Sequence, residues 1–410
     1  MHRRYRWTAA AAVAVLSLAG VASAAPRTPG TSDGGSAVSG AEAVTGPQPG
    51  AGTATLPPPT DPCNDDAALR YVAGGDAVVL GAKKDSPKEE ITASERYSEQ
   101  LLTDRLQPSP GPWCLYNTAV NSTTSATYVS EGNPTQQSKA HDLRPTLITL
   151  TLGRQNSTIV DHVVKCFKNV KDHDFLDANT CALAVLNNAS AWKTLNDDLS
   201  GILNKYKIQQ DGNPRLVVAV TGYFNPYPSA TSVATEIPGF CAKLVDTIAT
   251  CTARWILLPP ALVTLDQVVK KLNTTIKTVV DKFTWTSQGR FFFVNPYDKF
   301  KDHCMKLEVE IKTRVYHPTN TVHSHDSKND FGCDDEWIVS DGDDGNKSPF
   351  LYLTPATTGV LISATQTTVG MGIYPNADGH DCIADLIWEA TKNKLGVPEP
   401  PKPDEVCKGD

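Results

Sequence analysis

His317, His323 and His325 fall within nine residues, beside Asp326 and ahead of Asp330, Asp334 and Asp335. An H-x-H pair flanked by carboxylates can bind zinc, but neither paired thiolates nor a helical H-E-x-x-H is there to make the signal specific. A hydrated loop explains the cluster, so no metal site is expected. Asp341-Gly-Asp-Asp-Gly-Asn carries calcium-type ligands. An EF-hand loop needs them at alternate positions with a glutamate at the twelfth, so this run reads as a polar turn. Tyr223-Phe-Asn-Pro-Tyr-Pro either lines a pocket for an acyl chain or sugar or forms a proline-braced surface loop. Asn121, Asn156, Asn188, Asn273 and Asn346 head Asn-x-Ser/Thr triplets, which accept glycans only in a eukaryotic secretory route.

The elements that must hold such residues in place alternate along the chain. Five apolar or β-branched runs, Leu69 to Val79, Cys114 to Val120, Thr146 to Leu152, Arg215 to Gly222 and Arg290 to Val294, are each bounded by turn residues. Leu216-Val-Val-Ala-Val and Phe291-Phe-Phe-Val suit central strands buried on both faces. Helical patterns lie between and after them, at Ser94 to Leu106, Ala191 to Tyr206, Gly239 to Ile248, Leu265 to Phe283 and Asp378 to Leu395. Crossovers of that length predict an α/β fold: a five-stranded parallel sheet in the order 2-1-3-4-5, with helices on both faces. Ligands of such sheets bind at the carboxyl ends of the strands, so chemistry belongs in the loops that follow the runs.

Four of those loops carry a resemblance. Arg70-Tyr-Val-Ala-Gly-Gly-Asp-Ala-Val-Val-Leu-Gly is similar to the first block of the SGNH/GDSL hydrolases, where a strand leads into Gly-Asp-Ser. Ala119-Val-Asn-Ser-Thr-Thr resembles the block with the oxyanion glycine, and Pro145-Thr-Leu-Ile-Thr-Leu-Thr-Leu-Gly-Arg-Gln-Asn the block ending in Gly-x-Asn-Asp. Gly370-Met-Gly-Ile-Tyr-Pro-Asn-Ala-Asp-Gly-His-Asp-Cys-Ile-Ala resembles the His-Pro-Asn block near the C-terminus. The resemblance runs from about Asp61 to Leu395 and implies a flavodoxin-like, three-layer SGNH hydrolase fold.

The family cleaves acyl esters with a serine nucleophile, a histidine base and an oxyanion hole of two backbone N–H groups and an asparagine amide. Carried over by position, the nucleophile is Ala77, which has no attacking oxygen, and the base is Tyr374, whose phenol with a pKa near 10 is a poor base at neutral pH. Ser122 stands at the oxyanion glycine, where its N–H persists but a side chain intrudes. An ungapped alignment puts Gln155 on the oxyanion amide; a one-residue shift restores Asn156, and we favour Asn156. Met371, where other members place an acid, cannot orient a base. His380 stands six residues beyond Tyr374, too far to replace it, and reads as a histidine at a helix N-terminus between Asp378 and Asp381. The implied protein is a degenerate esterase fold with a binding cleft for an acyl ester, lipid or carbohydrate. The alternative is an active carboxylic-ester hydrolase with a relocated pair, Ser122 or Ser125 with His380 or a distant histidine. Neither reading calls for a cofactor.

The rest of the chain sets the setting. Arg3, Arg4 and Arg6 lead into an apolar stretch from Thr8 to Val21 and an Ala22-Ser-Ala24 cleavage site, so residues 1–24 read as a signal peptide, on the Sec or the twin-arginine route. Cleavage moves the formal charge from −7 to −10. That balance and the lack of a basic run exclude nucleic acid as the main partner. No remaining segment has the roughly 18 apolar residues of a membrane anchor. Residues 25–60, rich in Pro, Gly, Ser, Thr and Ala, read as a disordered linker, residues 61–396 as the folded domain and residues 397–410 as a proline-rich tail that Cys407 can pin back. Ten cysteines without a C-x-x-C pair read as disulfides of an exported protein. Cys166 with Cys181 and Cys241 with Cys251 are the local pairings, each stabilising by about 2 to 3 kcal/mol.

Overall fold

A computed structural model of the chain describes residues 69–80, 92–108, 112–120, 123–130, 132, 134–153, 166, 175–242, 257–301, 303–304, 307–316, 322–331, 338–341, 360–366, 372–398 and 407. The expected signal peptide and linker lie outside them.

Five parallel strands form the central sheet: β1 (Leu69–Gly75), β2 (Trp113–Asn117), β3 (Leu147–Thr151), β4 (Val217–Thr221) and β5 (Phe291–Val294). Their order is β2-β1-β3-β4-β5, as the crossover lengths predict. Tyr71 stands opposite Leu115 of β2 and Leu147 of β3, Leu147 opposite Val217, and Val218 opposite Phe291. Every residue of β3 and β4 is buried. Successive strand residues point to opposite faces, so both faces of the sheet are covered.

The helices supply that cover. They are α1 (Ala77–Leu80), α2 (Tyr97–Gln100), which continues as a π-helix over Leu101–Leu106, α3 (Ser125–Ser130), α4 (Gln136–Asp142), α5 (Phe175–Asn187), α6 (Ala189–Gly212), α7 (Ala230–Ala242), α8 (Leu258–Thr286) and α9 (Ala377–Leu395). On α6, Ala191, Leu195, Leu199, Ile202 and Tyr206 recur at three- and four-residue steps and are buried, an amphipathic stripe turned to the core. Prolines at the first turn of α8 cost nothing there, because those N–H groups have no intrahelical acceptor. Asn376 caps α9 by accepting from Gly379 N–H at 3.0 Å, and Gly396 at φ 67° ends it in the left-handed conformation. The buried face of α9, Ile383, Ala384, Ile387 and Trp388, packs toward β4 and β5.

Between β5 and α9 comes a set of antiparallel strands that the sequence pattern does not announce. β6 (Leu307–Tyr316), β7 (Val322–Phe331) and β9 (Val360–Gln366) form one sheet in the order β7-β6-β9, and β8 (Ile338–Asp341) pairs with β10 (Gly372–Pro375). His323, His325, Asp326 and Asp330 therefore belong to a strand and not to a loop. The first run ends as a strand at Gly75 and turns helical by Ala77, and the fourth helix candidate begins earlier, at Leu258. Of the candidate at Gly239 to Ile248, residues 239–242 close α7, which starts at Ala230, and residues 243–248 lie outside the described residues.

Cys166 and Cys181 are bridged as their spacing suggests. A second bridge joins Cys382 of α9 to Cys407, so the tail is pinned back. Cys251, with its expected partnership to Cys241, lies outside the described residues.

Gly75 is where the sheet tolerates no side chain. Its φ is 131°, and a Cβ there would stand 2.2 Å from the Thr151 carbonyl oxygen. Replacing Gly75 with alanine should lower the unfolding free energy by more than about 2 kcal/mol in a urea titration, from the clash and the positive φ together. An unchanged midpoint and slope would mean that the two strands do not approach in this way.

Candidate functional site

The corner that follows Gly75 is held from three sides. Asp76 is fully buried, and its N–H donates to Thr151 O at 3.0 Å. One carboxylate oxygen accepts from Val78 N–H at 3.0 Å, in the manner of a helix N-cap, and the other accepts from the Tyr223 hydroxyl at 2.7 Å. Tyr223 lies just past β4 and is itself clamped. The Asn273 amide of α8 accepts from Tyr223 N–H and donates to Tyr223 O, both at 2.7 Å. A continuous path of hydrogen bonds thus runs from α8 through the loop after β4 to the turn after β1.

The loop after β2 is tied to the same corner. Gln136 of α4 accepts from Gly75 N–H at 3.1 Å and donates to Thr123 Oγ1 at 2.7 Å. Val120 N–H donates to Gly75 O at 3.1 Å. Val120 and Thr123 flank Ser122, which lies outside the described residues, as do Gln155 and Asn156. Gly153, at φ 128°, closes the described part of the loop after β3 and packs on Leu195 and Leu272. The loops after β1, β2 and β3 thus begin side by side, where the sheet order places them.

Ala77 opens α1. Tyr374 lies in β10, opposite Val339, and β10 runs beside α1. The segments that carry the nucleophile and base positions therefore adjoin. Below the corner is a layer of buried hydroxyls: Tyr97 to Thr151 at 3.2 Å, Thr151 to Thr221 at 2.6 Å and Tyr71 to Thr149 at 2.9 Å. Burial pushes the Tyr97 phenol up to about 12, so it stays protonated and donates or accepts without charge.

Of the alternative pair, Ser122 or Ser125 with His380 or a distant histidine, Ser122 lies outside the described residues, and Ser125 and His380 have other partners. Ser125 is buried and donates to Asp198 Oδ2 at 2.7 Å. His380, in the first turn of α9, is fully buried, and its Nδ1 accepts from Tyr97 N–H at 3.2 Å, while its ring stacks on Tyr97. Tyr374 is on a strand and α9 begins only at Ala377, so the two residues do not share a helix. Burial, helped by the nearby Arg96 charge, lowers the His380 pKa to about 3. Next to it, burial and the Asp385 carboxylate raise Asp381 to about 6 against the pull of Arg105. Arg105 is buried and pairs with Asp385.

Two of the Asn-x-Ser/Thr asparagines have structural work. Asn188 caps α6 through its amide oxygen, and buried Asn273 holds Tyr223, so the Asn273 amide is not presented to solvent as a glycan acceptor would be. Asn273 and Gln136 are the site residues that motif reading misses. The signal for Asn273 is a polar residue on the buried stripe of α8, between Leu272 and Ile276. Among the described residues, no group of three His, Cys, Asp or Glu is placed to hold a metal ion, and no helix is long and apolar enough to cross a membrane.

No protein-family model and no curated protein matches the chain. Solved structures do. An extracellular lipase from Streptomyces rimosus matches 58% of this chain and 84% of its own at 15% identity, with a TM-score of 0.36. A protein described as a GDSL-like lipase from Parabacteroides merdae matches 79% and 95% at 12% identity, with a TM-score of 0.33. A carbohydrate acetylesterase from Sinorhizobium meliloti matches 56% and 85% at 11% identity, with a TM-score of 0.31. At such scores the fold assignment rests on the sheet order and register, not on the likeness.

His380 makes stability depend on pH. Its folded pKa is depressed, so below about 6.5 the unfolded chain binds a proton that the folded chain refuses, and stability falls as pH drops from there toward 3. Asp381, raised in the folded state, works the other way below pH 6. Replacing His380 with glutamine removes only the first contribution. Between pH 6.5 and 4.5 the natural chain should therefore lose about 1 kcal/mol per pH unit more than the variant does in urea titrations. Parallel slopes for the two proteins would contradict a buried neutral imidazole.

Proposed function

We propose that this chain is an exported SGNH/GDSL hydrolase-like protein that keeps the family's cleft as a binding site and has lost ester hydrolysis. The observation that carries the reading is the meeting of α1, which begins at Ala77, with β10, which contains Tyr374. The two segments adjoin as nucleophile and base segments must, and the residues at the two positions supply neither chemistry. Where either member of such a pair is lost, kcat falls by about a million-fold, as in subtilisin.

The proposed ligand presents a carbonyl or carboxylate oxygen, as an acyl ester, lipid or esterified carbohydrate does. The Ala77 and Ser122 N–H groups and the Asn156 amide are the proposed donors, with Asp76, Gln136 and Tyr223 fixing the backbone around them. Three donors aimed at one oxygen bind it whether or not a nucleophile is present. Export over a cleaved segment 1–24, with a linker over residues 25–60, accords with the disulfides, which form in oxidising compartments. Hydrolysis through Ser125 and His380 draws no support from their contacts, since Nδ1 of His380 is occupied and its basicity is depressed.

Turnover of short p-nitrophenyl esters separates the readings. The natural chain should match buffer, and the double variant Ala77→Ser, Tyr374→His should hydrolyse the ester above it. Robust and equal turnover by both proteins would sink the proposal, because the reaction would then owe nothing to either position.

A further inference from the structure

Between α2 and the first turn of α9 lie three buried polar atoms without a hydrogen-bond partner: Arg96 Nε, Gln100 Oε1 and His380 Nε2. Their residues meet where α2 packs on α9. Arg96 is the N-cap of α2, and Gln100 N–H donates to Arg96 O at 2.9 Å, so the two residues stand one turn apart. Gln100 Nε2 reaches Ala377 O at 3.5 Å, Tyr97 N–H reaches His380 Nδ1 at 3.2 Å, and the Arg96 charge acts on His380.

The hydrogen-bonding character of each atom follows from these contacts. Because Nδ1 accepts from Tyr97 N–H, a neutral His380 carries its proton on Nε2, which is then a donor. Arg96 Nε–H is a donor in every state. Gln100 Oε1 is an acceptor, because its amide nitrogen is the atom turned to Ala377 O. Each orphan left buried and unpaired would forfeit its hydration without return, and a folded protein rarely leaves three such atoms so close together.

We infer that Arg96 Nε–H, His380 Nε2–H and Gln100 Oε1 form a binding site for one internal water molecule, which accepts from the first two and donates to the third. Two donors and one acceptor are the complement of water, which offers both kinds of bond and is held in proteins by about three of them. An anion would satisfy the donors but face the Gln100 oxygen and the Glu99 carboxylate, which acts on Arg96. A cation would meet Arg96 and two N–H groups. The water links Arg96 at the N-cap of α2 and Gln100 at its end to His380 on α9, so the first turn of α9, which follows directly on β10, is seated through a polar bridge. Farther along, Ile383, Ala384, Ile387 and Trp388 are buried.

The test uses the unaltered full chain labelled with 15N at histidine. Long-range 1H–15N spectra should show His380 as the Nε2–H tautomer, with an Nε2–H proton protected from exchange and a cross-relaxation peak at the water frequency from a long-lived bound molecule. Chloride or acetate added to 0.2 M should leave that signal in place. An Nδ1–H tautomer, an Nε2–H proton without cross-relaxation to water, or a signal that moves saturably with the anion would each overturn the inference. None of these outcomes depends on the nucleophile and base positions, so they leave the proposed function untouched.

Discussion

The approach of β1 to β3 at their carboxyl ends is the constraint on which the corner depends. With Gly75 at a positive φ against the Thr151 carbonyl, the Asp76 N–H lands on that same carbonyl and the chain turns at once into α1. The sharpness of the turn sets what the Asp76 carboxylate can do. It is drawn into the interior, where a charge is tolerated only if hydrogen bonds surround it, and Val78 N–H and the Tyr223 hydroxyl provide them. Tyr223 can serve only because Asn273 fixes its backbone, so a helix remote in sequence holds the turn in place.

On the proposed reading, that arrangement explains how the site keeps its shape without a nucleophile and a base. The hydrogen bonds described for Asp76, Gln136, Tyr223 and Asn273 run to backbone groups, to one another and to the Thr123 hydroxyl. A nucleophile can be replaced by alanine without leaving any of these partners unpaired. The buried hydroxyl layer under the corner has the same property: Tyr71, Tyr97, Thr149, Thr151 and Thr221 satisfy each other within the sheet and its cover.

Most of the sheet is legible in the sequence because buried parallel strands leave unbroken apolar runs. Leu216-Val-Val-Ala-Val has no polar residue to confuse it with a surface element, and the helical stretches between the runs are long enough for crossovers. β7 is the opposite case. Val-His-Ser-His-Asp-Ser-Lys-Asn-Asp-Phe has little intrinsic preference for a strand, and its place comes from the neighbour: the register sets Lys312 opposite Asp326 and Glu310 opposite Lys328. No local pattern contains that partner. The meeting of the Ala77 and Tyr374 segments is legible from the order of the blocks. The bond from Tyr223 to Asp76 is not, since it joins residues 147 apart and exists only once the strands are ordered. His380 lies at the helix N-terminus where the sequence reading puts it, but its burial comes from the packing of α2 over that turn, which no local pattern contains.

The central claim, a fold of hydrolase type without a working nucleophile, is tested most directly by exposing the folded protein to a fluorophosphonate and weighing the intact chain. Fluorophosphonates phosphonylate activated serines, the serine oxygen displacing fluoride from phosphorus, and leave inert hydroxyls alone, so the reading needs no substrate. An unchanged mass is the expected result. A single stoichiometric adduct on one serine of the folded chain, lost on denaturation, would contradict it and identify the nucleophile that the contacts of Ser125 and His380 do not reveal.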